Sequence, residues 1–276
     1  DDELFVLDNQ GQWLPGNKLI HVREGDFNGM GWGWLDESAP MPRMVPPAIW
    51  LPEDEIGNSP SEPVLIKEGI YKGQMIHGEV THGGIKRVFV EKVNGQYQGC
   101  VFRFIQGLES GVNRIRWSPD GALYVGGIGS TGNRGHSGKL WYGLQRLEFD
   151  ENKSAFEMLA VRAKSNGLEI ELTESLKEGD GWNPEDYEVR QWRYQPTENY
   201  GGPKIDDQEL LVRTASVSDG GKKVFLEVDG IKDGYHVIYV RLKKNFISTM
   251  NHELWTTEAW YTMNNIPENN LGKVLQ

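Results

Sequence analysis

The stretch 111–129, GVNRIRWSPDGALYVGGIG, leaves the backbone few choices. Its first seven residues alternate loosely: Val112, Arg114 and Arg116 fall on one face of an extended strand, Ile115 and Trp117 on the other. Ser118-Pro119-Asp120-Gly121 is a turn, because proline fixes φ, aspartate folds back on its own backbone and glycine accepts positive φ. A second apolar strand follows at 122–125, and Gly126-Gly127 lets it bend or run close to another backbone. Strand, PDG turn and strand read as the inner hairpin of a β-propeller blade; the plainer alternative is an antiparallel hairpin of a sandwich.

Composition extends the all-β expectation to the whole chain. Glycine is 34 of 276 residues, roughly 12% against the ~7% usual in proteins, and no window carries a long apolar stripe of helical period. Short strands joined by tight turns are therefore expected. The net charge of −11 argues against a nucleic acid or an anionic membrane surface as partner, since both select basic surface. No apolar run is long enough to predict a membrane span. The one cysteine, Cys100, excludes an intrachain disulfide and a paired-cysteine zinc site, and reads as a small buried hydrophobe. The chain enters its first strand, 4–7, directly from Asp1-Asp2-Glu3, which reads either as the product of signal removal or, the favoured reading, as the later part of a longer polypeptide.

Asp8-Asn9-Gln10-Gly11 is a polar turn whose side chains and carbonyls are suited to face a channel or an ion. A strand at 19–22 follows, then an irregular glycine–aromatic run at 29–34. Residues 36–63 hold seven prolines and predict a long connection, ordered by Ile49, Trp50 and Leu51. Strands resume at 64–66, 74–79, 87–93, 98–104, 112–117 and 123–125, with Asn94-Gly95 as a type I′ hairpin turn. A polar loop is expected at 130–137 and a strand at 140–149. Beyond Asp150 the strands lengthen and alternate clearly, at 156–163, 167–172, 187–194, 210–216, 223–228 and 236–242. These predict an immunoglobulin-like β-sandwich over 151–245, after a propeller portion over 1–150. The aromatic segment LWTTEAWYTMNNI, within 246–276, is expected to pack on the junction.

The segments ELFVLDNQG, HVREGDFNG, GNSPSEPVLI, GQMIHGEVTHGGIKRVFVE and RIRWSPDGALYVGGIGSTGN together resemble the later part of the soluble quinoprotein glucose/sorbosone dehydrogenases. The resemblance spans about residues 3–133. It implies a β-propeller holding pyrroloquinoline quinone (PQQ) and Ca²⁺ in a central channel, and oxidation of a sugar. It is strongest to large secreted or periplasmic proteins in which a β-sandwich follows the propeller. About 150 residues supply three or four blades, so the resemblance implies a missing propeller half, on this polypeptide or another protein chain. The family's catalytic histidine belongs to earlier blades.

Residue by residue, the resemblance places His82 where the family offers a lysine to the cofactor, and Asn113 and Gly111 where it offers an arginine pair. Arg114 and Arg116 stand one place out of that register, and such a slip reverses the face of a strand. Asp8, Asn9, Gln10 and Gly11 fall near the family's calcium loop, a metal that takes oxygen ligands. Trp50, Asn58 and Ser61 fall in the loop that lines the sugar site. Each has a structural alternative: a turn histidine, a polar turn, a tryptophan that anchors its loop. The glycines of 126–135 lack the ending of a phosphate loop, and the histidines show no metal-ligand spacing. Two functions follow: an extracytoplasmic sugar oxidoreductase of quinoprotein type, or a non-catalytic glycan- or protein-binding module of a periplasmic, cell-surface or secreted assembly.

Overall fold

The computed structural model describes residues 3–28, 44–129, 140–150, 153 and 155–275. The runs expected as irregular loops at 29–34 and 130–137 lie outside the described residues. The protein is all-β. Among the described residues helix is confined to two single 3₁₀ turns, and every sheet is antiparallel and open.

Strands β1 (Leu4–Asp8), β2 (Asn17–Val22) and β3 (Ile49–Leu51) form one meander. Strands β4 (Pro60–Leu65), β5 (Met75–Glu79), β6 (Ile85–Val93) and β7 (Gln96–Ile105) form the next. Strands β8 (Gly111–Trp117), β9 (Leu123–Ile128) and β10 (Tyr142–Leu147) form a third. A four-stranded sheet has the order β11 (Met158–Lys164), β12 (Gly167–Leu172), β16 (Lys223–Val228), β15 (Val212–Ser218). The remaining strands are β13 (Tyr187–Tyr194), β14 (Lys204–Leu210), β17 (His236–Leu242) and β18 (Glu258–Met263), in the order β14-β13-β17-β18. β18 also pairs with β7, Trp260 opposite Val101, so this row and the second meander are one eight-stranded sheet. That sheet crosses position 150, where the sequence divides the chain.

Alternation along β18 shows how the large sheet is covered. Ala259, Tyr261 and Met263 point into a core shared with Val161, Ile170, Val224 and Leu226 of the four-stranded sheet. Trp260 points the other way, into a second core with Leu19, Ile49 and Leu51. Further along, Ile76, Ile85 and Phe104 meet Val112, Ile115, Leu123 and Val125 of the third meander. The first three meanders thus stack in chain order, and β4 lies against both β1 and β8.

Local chemistry explains several elements. Asn94 and Gly95 have φ of 49° and 82°, as a type I′ turn requires. The PDG turn closes with Ser118 N–H on the Ala122 carbonyl at 2.9 Å and Ala122 N–H on Asp120 Oδ1 at 3.4 Å. Gly111 has no room for a side chain, because an added Cβ would lie 2.0 Å from the Val80 carbonyl. Two expectations are corrected. A β-bulge between Val112 and Arg114 turns Val112 to the buried face with Ile115, leaving Arg114 and Arg116 exposed. The proline-rich connection contains β3 and most of β4. Pro60 and Pro63 are tolerated because β4 is an edge strand with a bulge between Ser61 and Pro63.

One buried ion pair ties β6 to the approach to β11. Arg87 and Glu157 are both at most 1% exposed and 3.2 Å apart. Arg87 also donates to the Met158 and Leu159 carbonyls at 2.6 and 2.9 Å and to Gln74, and its guanidinium lies 4.6 Å from the ring centres of Tyr71 and Phe102. Tyr71 donates to Glu157. Removing one member strands a buried charge. Arg87→Met is expected to lower stability in urea unfolding by about 3–5 kcal/mol, and adding Glu157→Leu to recover most of the loss.

Candidate functional site

The chain after β3 turns tightly because the Pro52 carbonyl accepts N–H groups of Glu55, Ile56 and Gly57. Fully buried Ile56 anchors the turn, and Asp54 holds φ of 61° within it. This brings Glu55 over the Trp260 face of the large sheet. Its carboxylate accepts the Trp260 indole N–H at 2.7 Å and pairs with Lys204. Its carbonyl accepts Arg103 at 2.6 Å. His82 Nε2 lies 3.1 Å from the same carbonyl, so that nitrogen carries the proton.

Beneath the turn is a row of buried polar groups. His77 on β5 stands opposite Lys86 on β6, and Lys86 opposite Arg103 on β7, so all three share a face. Glu79, two residues from His77, joins them. Its Oε1 accepts backbone N–H groups of Ser59, Thr81 and His82. Burial holds the Glu79 carboxyl above its ordinary value, and these donors with Lys86 oppose that. Burial pushes Lys86 down to about 8 and His77 down to about 4. Lys86 donates to the Gly83 carbonyl at 2.8 Å. Glu79 Oε2 and His77 Nε2 are buried without a hydrogen-bond partner among the described residues.

Beside this row lies a cleft of about 510 Å³, lined by Gln10, Glu53, Tyr194, Asn199, Tyr200 and Lys204 among others. Two distant loops build it. Trp13 N–H donates to the Thr197 carbonyl at 2.7 Å, Gly201 N–H to Gly11 at 3.0 Å and Gly202 N–H to Pro15 at 2.9 Å. Gly202 is required by the approach, since a Cβ there would meet the Gln195 carbonyl at 2.2 Å. Trp13 also holds a left-handed φ of 61°. Lys204, paired with Glu55, lies 3.7 Å above the Trp192 ring. Glu53 has its carboxyl raised by burial first and then by Asp54 and Glu79. Tyr200 is 68% exposed at the rim. A second cleft of about 500 Å³ shares Pro15 and Tyr194 with the first and is lined by Trp50, Pro46 and Pro47.

The sequence-derived site residues divide among these places. His82 and Asn58 surround Glu79 through their backbones, and Asn58 Nδ2 also reaches Asp54 Oδ1 at 3.4 Å. Ser61 donates to the Val112 carbonyl at 2.8 Å, beside Asn113, whose own oxygens receive Arg114. Trp50 lines the second cleft, its ring centre 5.3 Å from that of Tyr194 with the planes tilted by 58°. Gln10 lines the first. Asp8 gives its carboxylate to the Lys18 ammonium at 2.9 Å, Asn9 is exposed, Gln10 N–H donates to Asn17 Oδ1 at 3.1 Å, and the Gly11 carbonyl is engaged by Leu14 and Gly201. So arranged, the four do not form a calcium cage. Among the described residues no group of three or more His, Cys, Asp or Glu converges for a metal ion. An acidic tricarboxylate such as PQQ does not fit beside buried Glu79 either, with Arg103 already paired to Glu258 and Lys86 turned to a carbonyl. Glu53, Tyr194, Tyr200 and Lys204 carry no sequence motif. Comparison with protein-family models, curated proteins and solved structures found no match to this chain.

His77 gives a pH prediction. Its folded-state affinity for protons is depressed below 6.5, so the unfolded chain binds more protons once pH falls beneath that value, and stability drops towards pH 4. Lys86 is protonated in both states across pH 5–7, while Glu79 acts in the opposite sense. Urea unfolding should show His77→Gln losing on the order of 2 kcal/mol less than the parent between pH 7 and pH 5.

Proposed function

We propose that this chain is a carbohydrate-binding module of a periplasmic, cell-surface or secreted assembly, with its glycan site in the cleft between the 10–15 and 195–203 loops. The observation that carries the reading is the lining: an exposed tyrosine beside amides, the Glu53 carboxyl and Lys204, itself paired with Glu55. A pyranose offers an apolar C–H face to a ring such as Tyr200 and hydroxyls to groups such as Gln10, Glu53 and Asn199. Loop-to-loop hydrogen bonds hold the lining in place before any ligand arrives, which lowers the ordering cost of binding.

The architecture in this reading is a propeller sector followed by an immunoglobulin-like sandwich. Three meanders stacked in chain order, with first strands β1, β4 and β8 side by side, support the sector. Orders β11-β12-β16-β15 and β14-β13-β17-β18 match A-B-E-D and C′-C-F-G of such sandwiches. Closing a ring would take further sheets, from the same polypeptide or another.

A second reading, sugar oxidation of quinoprotein type, draws on His82 and Asn58 gathering at Glu79 with Ser61 and Asn113 adjacent, and requires the cofactor to lie away from that carboxylate. Dye reduction by a sugar panel with added PQQ and Ca²⁺ separates the two, and turnover would favour oxidation. For the binding reading, a glycan panel read by titration calorimetry should yield a ligand whose affinity falls about tenfold or more in Tyr200→Ala and in Glu53→Gln, with unfolding midpoints unchanged. Unchanged affinity in both variants would move the site elsewhere.

A further inference from the structure

The cleft between the 10–15 and 195–203 loops contains two polar groups that the protein itself does not engage. Gln10 is only 8% exposed, yet its side-chain amide makes no hydrogen bond among the described residues. That amide lies against Gly201, where an added Cβ would stand 2.9 Å from Oε1. Glu53 is half-buried, and its carboxylate has neither a hydrogen-bond nor an ion-pair partner among the described residues. Sheltered polar groups are ordinarily paired, so two acceptors in one cleft point to a ligand that donates.

The surrounding charges say which kind of donor. Glu53, Asp54 and Glu55 follow one another on the turn after β3, and Lys204 is the one cation among the described lining residues. Lys204 is already committed: it pairs with Glu55 and lies 3.7 Å from the Trp192 ring centre. Burial, Asp54 and Glu79 all disfavour the charged form of Glu53, and a cation beside it would reverse that. An acidic sugar would face these carboxylates with no free cation to receive it. A neutral sugar would leave Glu53 uncompensated.

We propose that the sugar taken here carries a free amine, its ammonium group on Glu53 and Gln10 and its ring on Tyr200. The proposal rests on the glycan reading and adds the substrate class, hexosamines that are not N-acylated. An ammonium donates to a carboxylate in a charge-assisted bond roughly twice as strong as a neutral one. Tyrosine faces also attract it, and the Tyr200 backbone is bridged to Gln12, which fixes its place at the rim. N-acylation removes the charge and adds bulk, so an N-acetylated unit loses both advantages.

Titration calorimetry tests this with glucosamine and galactosamine oligomers, free and N-acetylated, and glucose oligomers of the same length. The free-amine form of one series should bind at least about tenfold more tightly than its acetylated and neutral counterparts. Glu53→Gln should abolish that preference, with the unfolding midpoint and circular dichroism of the parent. Tyr200→Ala should weaken the amine oligomer about tenfold. Oligolysine of equal charge should bind no more tightly than the neutral oligomer; if it matches the amino sugar, the effect is general attraction to an acidic chain and the proposal falls. Acetylated or neutral oligomers that bind as tightly as the amine, and weaken in Tyr200→Ala, would keep the glycan site and overturn the amine. An amine oligomer indifferent to Glu53→Gln overturns it as well, and no binding by any oligomer overturns both readings.

Discussion

The guanidinium of Arg87 is the point at which two differently built parts of this molecule become one. It stands on β6, inside the second meander, yet its partners Glu157, Met158 and Leu159 belong to the segment that opens the four-stranded sheet. A charge sealed this far from water is tolerable only with nearly all its donors engaged. Here a carboxylate, two carbonyls, an amide oxygen and two aromatic faces surround it. With only Nε left without a partner among the described residues, this set fixes geometry more sharply than apolar contact, because a small slip between the sheets would leave several more buried groups unmatched. The Glu55 turn, on the opposite face, performs the same task with Arg103, Trp260 and Lys204.

Much of the fold was legible where local chemistry decides it. Asn94-Gly95 and Ser118-Pro119-Asp120-Gly121 stand where turn residues demand, and alternation located β12, β13, β16 and β17 almost to the residue. What could not be read was set by distant contacts. The bulge at Asn113 arises from packing and reverses the face of Val112. β14, with Asp206, Asp207 and Gln208 exposed, lacks an apolar pattern and exists because β13 offers it a ladder. The joining of β18 to β7 has no local signature in either strand.

The site follows the same division. Gln10 and Trp50 stood out as polar or aromatic residues in irregular stretches, and each lines a cleft. The partners of Asp8, Gln10 and Gly11 are ones the turn does not advertise: Lys18 across the hairpin, Asn17, and Leu14 with Gly201. Tyr200 and Lys204 were invisible because the loop carrying them meets the 10–15 loop only after both sheets are in place. Glu79 and His77 read as ordinary strand residues; burial, which no single sequence states, gives them their character.

The position of β18 sets a timetable for the polypeptide. Its contacts with β7 join residues as far apart as Gln98 and Tyr261, 163 positions along the chain. While the ribosome is still extending the chain, the edge of β7 has no neighbour and Val101 and Phe102 lack their cover. Contacts of such span form late and slowly, and the waiting intermediate exposes a bare strand edge. Biosynthesis of this molecule is therefore expected to lean on chaperones during the interval before β18 emerges.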